Sequence, residues 1–211
     1  MNILITAGPT REHLDPIRFL SNCSTGKMGF AVAQAAAARG HQVTLIAGPV
    51  ALATPHGVTR VDVVSARDML AAVERLLPPC DALVMSAAVA DWRPAQEADV
   101  KLKKAHMSPT LQLVPNPDIL KTIAPQKGRR IFVGFAAETG DPLAEAQRKL
   151  TAKGLDLIVA NDVTAPGAGF AVDTNIVTLL SADLPPQPLP LQSKLDIANT
   201  LVQWIENAKE V

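Results

Sequence analysis

The stretch NILITAGPTREHLDPIRFLSNCSTGKMGFAVAQAAAARGHQVTLIA, residues 2–47, opens on the apolar run Asn2 to Thr6 and closes on a second, Gln42 to Ala47. Between them the alanine-rich segment from Lys27 to Arg39 has helical composition. Neither terminal run alternates apolar with polar residues, so both read as strands buried on two faces, the mark of a parallel sheet between helix layers. The rhythm continues along the chain. Further strands are predicted at Val58 to Val63, Asp81 to Ser86, Ile131 to Phe135 and Asp156 to Ala160, with helices over Ala66 to Leu77, Pro117 to Ala124, Pro142 to Lys153 and Gln192 to Ala208. Ser65 is placed to cap the second helix, and Gly40 and Gly154 sit where left-handed C-terminal caps are wanted. Near the end, Asn175 to Leu180 and Gln187 to Leu191 flank a proline-rich turn and read as an antiparallel pair. The pattern predicts one α/β domain over residues 1–211: a doubly wound, mostly parallel Rossmann-like sheet with helices on both faces and a short antiparallel C-terminal extension.

The totals narrow the function classes. A chain of 211 residues with 48% hydrophobic content can bury a sizeable core and is not globally disordered. Zero formal net charge argues against a general nucleic-acid or membrane-binding surface, so an anion site must come from local lysines and backbone NH groups. Cys23 and Cys80 lack metal-ligand spacing and point to a reducing, cytoplasmic setting rather than a disulfide framework. His13, His41, His56 and His106 have no ligand spacing among them, so no structural metal is expected. The N-terminus lacks the basic start and long apolar core of a signal peptide, and no apolar run has the length of a membrane span.

Two segments break the strand and helix rhythm, the loop from Gly8 to Thr25 and the excursion from Ala87 to Pro115. Long structured loops at strand ends are where α/β proteins bind ligands. Ser24, Thr25 and Gly26 lie at the start of the first helix, where unpaired NH groups and the helix dipole favour an anion. Two readings fit them: a phosphate cradle, and a serine-rich cap whose glycines allow close helix packing. The segment is not a Walker A loop, because Met28 follows Gly26 and Lys27, and Gly8, Gly26 and Gly29 lack the GxGxxG spacing. In the second excursion, Lys101, Lys103 and Lys104 cluster ten residues after Asp91, and the small residues of AAVADWRP (Ala87 to Pro94) would let a ligand approach the backbone. Asn116 and Pro117 are suited to cap and open a helix. Phe135 ends a core strand, and Lys149 and Lys153 share one helix face. Cys23 has no oriented histidine to make it a nucleophile.

From these residues alone, two function classes stand first: a nucleotide-dependent enzyme that handles phosphates with lysines and helix ends, and a nicotinamide-dependent reductase. The absence of Tyr removes the reductase branch that uses Tyr as general acid. A non-catalytic nucleotide-binding module remains a third reading.

Taken together, ITAGPTRE, DPIRFLSNCSTGKMGFA, AAVADWRP, KLKK, NPDIL, GFAAET and ANDV resemble phosphopantothenoylcysteine synthetase, the ligase that is often the C-terminal half of a bifunctional bacterial coenzyme A biosynthesis protein. The resemblance runs in order from Asn2 to about Asn175. It implies that CTP activates the carboxylate of 4'-phosphopantothenate as an acyl-cytidylate with loss of pyrophosphate, after which the amine of L-cysteine gives the amide and CMP. It implies Mg²⁺, a homodimer, and no flavin in this chain, since the flavin-dependent decarboxylase that precedes the synthetase in bifunctional members has no counterpart in these 211 residues. Carried over, Asn22 matches the residue that handles the acyl-cytidylate by hydrogen bonding its acyl oxygen, and Lys101 the lysine needed to form it. Met85, Ser86, Ala87 and Asp91 match a nucleotide-binding strand end. Pro117, Asp118, Ile119, Leu120, Phe135, Lys149 and Lys153 match further CTP contacts. Ser24, Thr25, Gly26 and Ala88 are left to hold phosphate, either of the nucleotide or of phosphopantothenate. Cys23 falls where related sequences commonly carry His, which weakens a catalytic role there. The second excursion would close over CTP as a lid.

Overall fold

Six of the strands predicted from apolar runs align in parallel, the inner five because neither of their faces tolerates water and the sixth, Val58–Asp62, as a partly exposed edge. In β1 (Asn2–Ala7), Ile3, Ile5 and Ala7 pack to one side of the sheet and Leu4 to the other, all essentially without exposure. The computed structural model describes residues 1–104, 110–139, 142–182 and 184–210. The parallel strands are β1, β4 (Gln42–Ala47), β5 (Val58–Asp62), β6 (Ala82–Met85), β9 (Ile131–Glu138) and β10 (Leu157–Asp162). Two antiparallel strands, β11 (Thr174–Ser181) and β12 (Gln187–Ser193), extend the sheet, whose order is β12-β11-β10-β9-β6-β1-β4-β5. Counting only the parallel strands, the order is third, second, first, fourth, fifth, sixth, that of a doubly wound dinucleotide-binding sheet. Pro188 and Pro190 are tolerated in β12 because it is an edge strand, where a missing NH need not leave a ladder bond unmade.

Helices cover both faces. α1 (Lys27–Ala38) and α5 (Lys194–Glu210) lie on one, burying Phe30, Val32, Ile197 and Leu201 against Ile3, Ile5 and Leu45. On the other, α2 (Ala66–Leu76), α3 (Ile119–Ile123) and α4 (Pro142–Ala152) bury Met69, Val73, Ile119 and Leu150 against Leu4, Ile46 and Phe132. The Ser65 cap is a full capping box: the amide of Asp68 donates to Ser65 Oγ at 3.1 Å and the amide of Ser65 to Asp68 Oδ2 at 2.9 Å. α5 begins two residues later than predicted, because Gln192 and Ser193 stay in β12 and the Ser193 hydroxyl accepts from the amide of Asp196 at 3.1 Å.

The start of α3 is also corrected. Its cap is Asp118, which accepts from the amide of Lys121 at 3.2 Å, so Pro117 precedes the helix and Asn116 does not cap it. Asn116 is drawn away: its side-chain amide donates to the Ala90 carbonyl at 2.8 Å and its oxygen accepts from Arg93 at 3.1 Å.

Both long loops contain short β ribbons that the sequence pattern did not mark. In the first, β2 (Arg11–His13) pairs with β3 (Phe19–Ser21); in the second, β7 (Trp92–Pro94) pairs with β8 (Leu113–Pro115). The first ribbon is tied to the body by Glu12, a buried carboxylate that accepts from the amide of Ala66 at the N-terminus of α2, 2.9 Å away. A negative charge is favourable at that helix end. His106 lies outside the described residues.

Candidate functional site

The chain leaves the sheet on opposite sides after β1 and after β6, which are neighbours, so their loops diverge and open a crevice at the strands' carboxyl ends. The loops are stitched together at its floor. Pro9 bridges Ala88, the amide of Ala88 donates to the Gly8 carbonyl at 2.9 Å, and that of Ala90 to the hydroxyl of buried Thr10 at 3.0 Å. The resulting cleft has a volume of about 530 Å³.

One end is the N-terminus of α1. Its cap is Gly26 at φ 80°, a left-handed conformation that disfavours side chains, and no side chain caps the helix. The first-turn NH groups therefore face the cleft without a side-chain acceptor, an anion site by geometry. Gly29 brings the helix onto β1, since a Cβ there would lie 2.5 Å from that of Ala7. Close packing belongs to Gly29, while in the turn before it Ser24 Oγ accepts from the amide of Gly26 at 3.3 Å.

A strap, residues 167–173, crosses this end and is held by side chains from three elements. Thr25 Oγ1 donates to the Phe170 carbonyl at 2.6 Å, and Lys27 Nζ to the Ala171 carbonyl and Asp173 Oδ1, both at 2.8 Å. Lys194 is nearly buried and donates to the carbonyls of Gly169, at 3.0 Å, Phe170 and Val172. Burial, and then the neighbouring charge of Lys27, push the Lys194 ammonium's pKa down from its ordinary value.

Asn22, exposed, lines the cleft from the end of the first loop. Its amide group donates to the carbonyls of Ala88 at 3.0 Å and Val89 at 3.2 Å, so both hydrogens are used within the protein. The resemblance aims those hydrogens at an acyl oxygen; in this geometry the side chain instead has its carbonyl oxygen to offer, an acceptor.

The opposite end is lined by β6, α3 and α4. Met85, Ser86, Ala87, Ala88 and Asp91 follow the strand, Pro117 to Leu120 enter α3, and half-buried Phe135 comes from β9. Lys149 pairs with Glu138, outside the lining, at 2.5 Å and Lys153 with Asp118 at 3.1 Å, so this end presents two lysines beside the Asp118 carboxylate. The cleft thus gathers every residue proposed from sequence except Lys101, which is exposed, lies outside the lining and has no side-chain partner among the described residues. Cys23 is exposed, a free thiol at the cleft edge.

The cleft also contains residues that sequence reasoning did not propose for the site: Asn161, Phe170, Asn175 and Lys194, together with Lys27, weighed only as part of a Walker A loop, and Asn116, read only as a helix cap. Asn161 is buried, and its Oδ1 has no hydrogen-bond partner among the described residues. Such an orphan acceptor in a cleft calls for a donor from a ligand or water. Its only sequence signal was membership of ANDV. Lys194, at a predicted helix start, gave none.

A model of the DNA/pantothenate metabolism flavoprotein C-terminal domain matches residues 1–208. The Coenzyme A biosynthesis bifunctional protein CoaBC of Bacillus subtilis (strain 168) is 50% identical over 205 residues, 97% of this chain and 50% of that protein. The protein of the same name from Escherichia coli (strain K12) is 49% identical over 209 residues, 97% of this chain and 51% of that one. The chain spans about half the length of these curated relatives. A crystal structure of the C-terminal domain of CoaBC aligns with a TM-score of 0.85 at 41% identity, covering 99% of this chain and 95% of that one. With its doubly wound sheet and loop-lined cleft, the chain belongs to the family of DNA/pantothenate metabolism flavoprotein C-terminal domains.

Proposed function

We propose that residues 1–211 act as one phosphopantothenate-cysteine ligase domain, joining 4'-phosphopantothenate to L-cysteine at the expense of CTP, in coenzyme A biosynthesis. The observation that carries this reading is the convergence of Asn22, the N-terminus of α1, the β6 strand end, the α3 entrance and Lys149 on one cleft, from segments far apart in sequence. In the first step a carboxylate oxygen of phosphopantothenate attacks the α-phosphorus of CTP, and pyrophosphate leaves with the electrons of the broken P–O bond. In the second, the cysteine amine attacks the acyl carbon, CMP departs and the amine loses a proton.

Each step gathers negative charge on oxygen, so fixed donors lower its barrier. The first-turn NH groups of α1 suit a phosphate, and Lys101 would reach the reacting phosphates from the second long loop. Asn22, with its oxygen free to accept, suits the cysteine amine. The charges of Lys149, Lys153 and Asp118 suit a base edge that carries both donors and acceptors.

Mg²⁺ fits this donor set in one way. Among the described residues no group of three or more His, Cys, Asp or Glu is placed to hold a metal, and of the cleft carboxylates Asp91 and Asp118, the second is paired with Lys153. A magnesium carried mainly on nucleotide phosphates and water needs no more. It would supply charge neutralisation there.

The test is the pure chain with phosphopantothenate, L-cysteine, CTP and Mg²⁺, followed by chromatography for the amide and CMP; no amide at any CTP concentration ends the reading. Replacing CTP by ATP is expected to lower kcat/KM on the order of 10²-fold, the penalty for leaving a base-reading site mispaired. Equal turnover with ATP would remove the cytosine-reading role of the α4 end.

A homodimer is part of the same reading. Large apolar side chains stand exposed on and beside the two ribbons, Ile17, Phe19, Trp92, Val100, Leu111 and Leu113, which is costly for a monomer and ordinary for an interface. Trp92→Glu is expected to convert the sedimenting species from dimer to monomer. A wild-type chain that sediments as a monomer at micromolar concentration would refute this. Fusion to a flavin-dependent decarboxylase and a cytoplasmic setting accord with the bifunctional relatives and the two free thiols.

A further inference from the structure

Asp15 is a fully buried carboxylate next to the exposed turn Pro16 and Ile17, and no step of the proposed reaction uses it. Both its oxygens are occupied. Oδ1 accepts from the amides of Ile17 at 2.9 Å and Arg18 at 2.8 Å, which turns the chain between β2 and β3. Oδ2 accepts from Arg18 Nε at 3.0 Å and Nη2 at 2.5 Å, and from the amide of Leu102, in the other long loop, at 3.1 Å. Arg18 Nη2 in turn donates to the Leu102 carbonyl at 2.8 Å. Leu102 is therefore gripped at both its NH and its CO by an ion pair that belongs to the first loop. A further bond, from the amide of Ala98 to the Leu14 carbonyl at 2.9 Å, fixes the same two segments. The Arg18 guanidinium holds the Asp15 carboxyl well below the usual carboxylate range, so the grip persists wherever the protein is folded near neutrality.

The residue joined to Leu102 is Lys101, whose own side chain has no partner among the described residues. A lysine on an untethered loop spreads its ammonium over many positions, and misplacement by about 1 Å can cost on the order of 10²-fold in rate. We propose that Asp15 is the positioning residue for Lys101: by clamping the Leu102 peptide group it fixes the point from which the lysine reaches the phosphates. The inference rests on the reading of Lys101 as the phosphate-contacting lysine.

The test is a double-mutant cycle read as pyrophosphate release in the presence of phosphopantothenate. Asp15→Asn keeps an oxygen for the Ile17 and Arg18 amides but lacks the charge for Arg18 and the second acceptor for Leu102. It is expected to slow release about 10²-fold, with a change in KM for CTP of no more than a few-fold, and to raise amide hydrogen exchange in residues 98–104 while the sheet stays protected. In a Lys101→Gln background Asp15→Asn is expected to have no additional effect, because nothing is left to position. Losses that multiply would overturn the proposal while leaving the role of Lys101 intact, as would a normal rate for Asp15→Asn. A fully active Lys101→Gln would sink both. Should Asp15→Asn fail to fold, Leu102→Pro deletes the same hydrogen bond from the donor side, and the same non-multiplicative pattern is expected of it.

Discussion

Lys101→Gln is expected to slow pyrophosphate release in the presence of phosphopantothenate on the order of 10³-fold, with little change in thermal stability. The size follows from removing a positive donor aimed at charge that grows in the transition state, worth about 10²–10³ for a neutral donor and more for a charged one. The lack of a stability effect follows from the structure. Lys101 is exposed and has no hydrogen bond or ion pair with a described side chain, so its loss leaves no buried group unpaired. Quench-flow with labelled CTP measures the first turnover directly, and normal pyrophosphate formation by the variant would refute the role. Gln keeps an NH donor but is neutral and one atom shorter, so a loss would belong to the ammonium group.

Asn22→Asp is expected to leave acyl-cytidylate formation within a few-fold of wild type and to lower amide formation on the order of 10²-fold. In the structure the Asn22 amide donates to the Ala88 and Val89 carbonyls, at 3.0 and 3.2 Å. A carboxylate in its place sets oxygen against oxygen on both, so the side chain must swing away and the acceptor presented to the incoming amine moves with it. Rapid quench should then show the acyl-cytidylate accumulating after CTP is consumed and decaying slowly on addition of L-cysteine. Amide formed at the wild-type rate would remove Asn22 from the second step.

The parts of the fold that were legible in the sequence are those where water exclusion acts on a regular period. β1, β4, β9 and β10 were readable because both faces of each are buried, and the cap at Ser65 because a serine precedes the helical run; that Asp68 completes a capping box came from the structure. β2, β3, β7 and β8 were not, since strands of three residues have no period to detect and are held by partners in their own loops. The start of α3 was misread for a related reason: Asn116 and Asp118 are equally good caps in isolation, and the choice falls to Asp118 because Ala90 and Arg93 claim Asn116.

At the cleft the division is similar. Short-range chemistry marked the Ser24 to Gly26 turn and the lysines of α4, because hydroxyls, glycines and cations at a strand or helix end suggest anions whatever surrounds them; Asn22 was marked by the family resemblance alone. Lys194 gave no such sign, for its ammonium meets the Gly169, Phe170 and Val172 carbonyls only once α5 docks beneath the strap. Asp15 likewise reads as a turn residue until the second loop brings the Leu102 amide to it. Composition and periodicity alone determined the layer order, the parallel sheet and the ends at which a ligand could sit, because burial of apolar strands is a local property summed along the chain. Which side chains face each other across the crevice, which of them keep a free acceptor, and where Lys101 is tethered were decided by tertiary structure. Hydrogen bonds between distant segments have strict distance and direction, and no one-dimensional pattern encodes them.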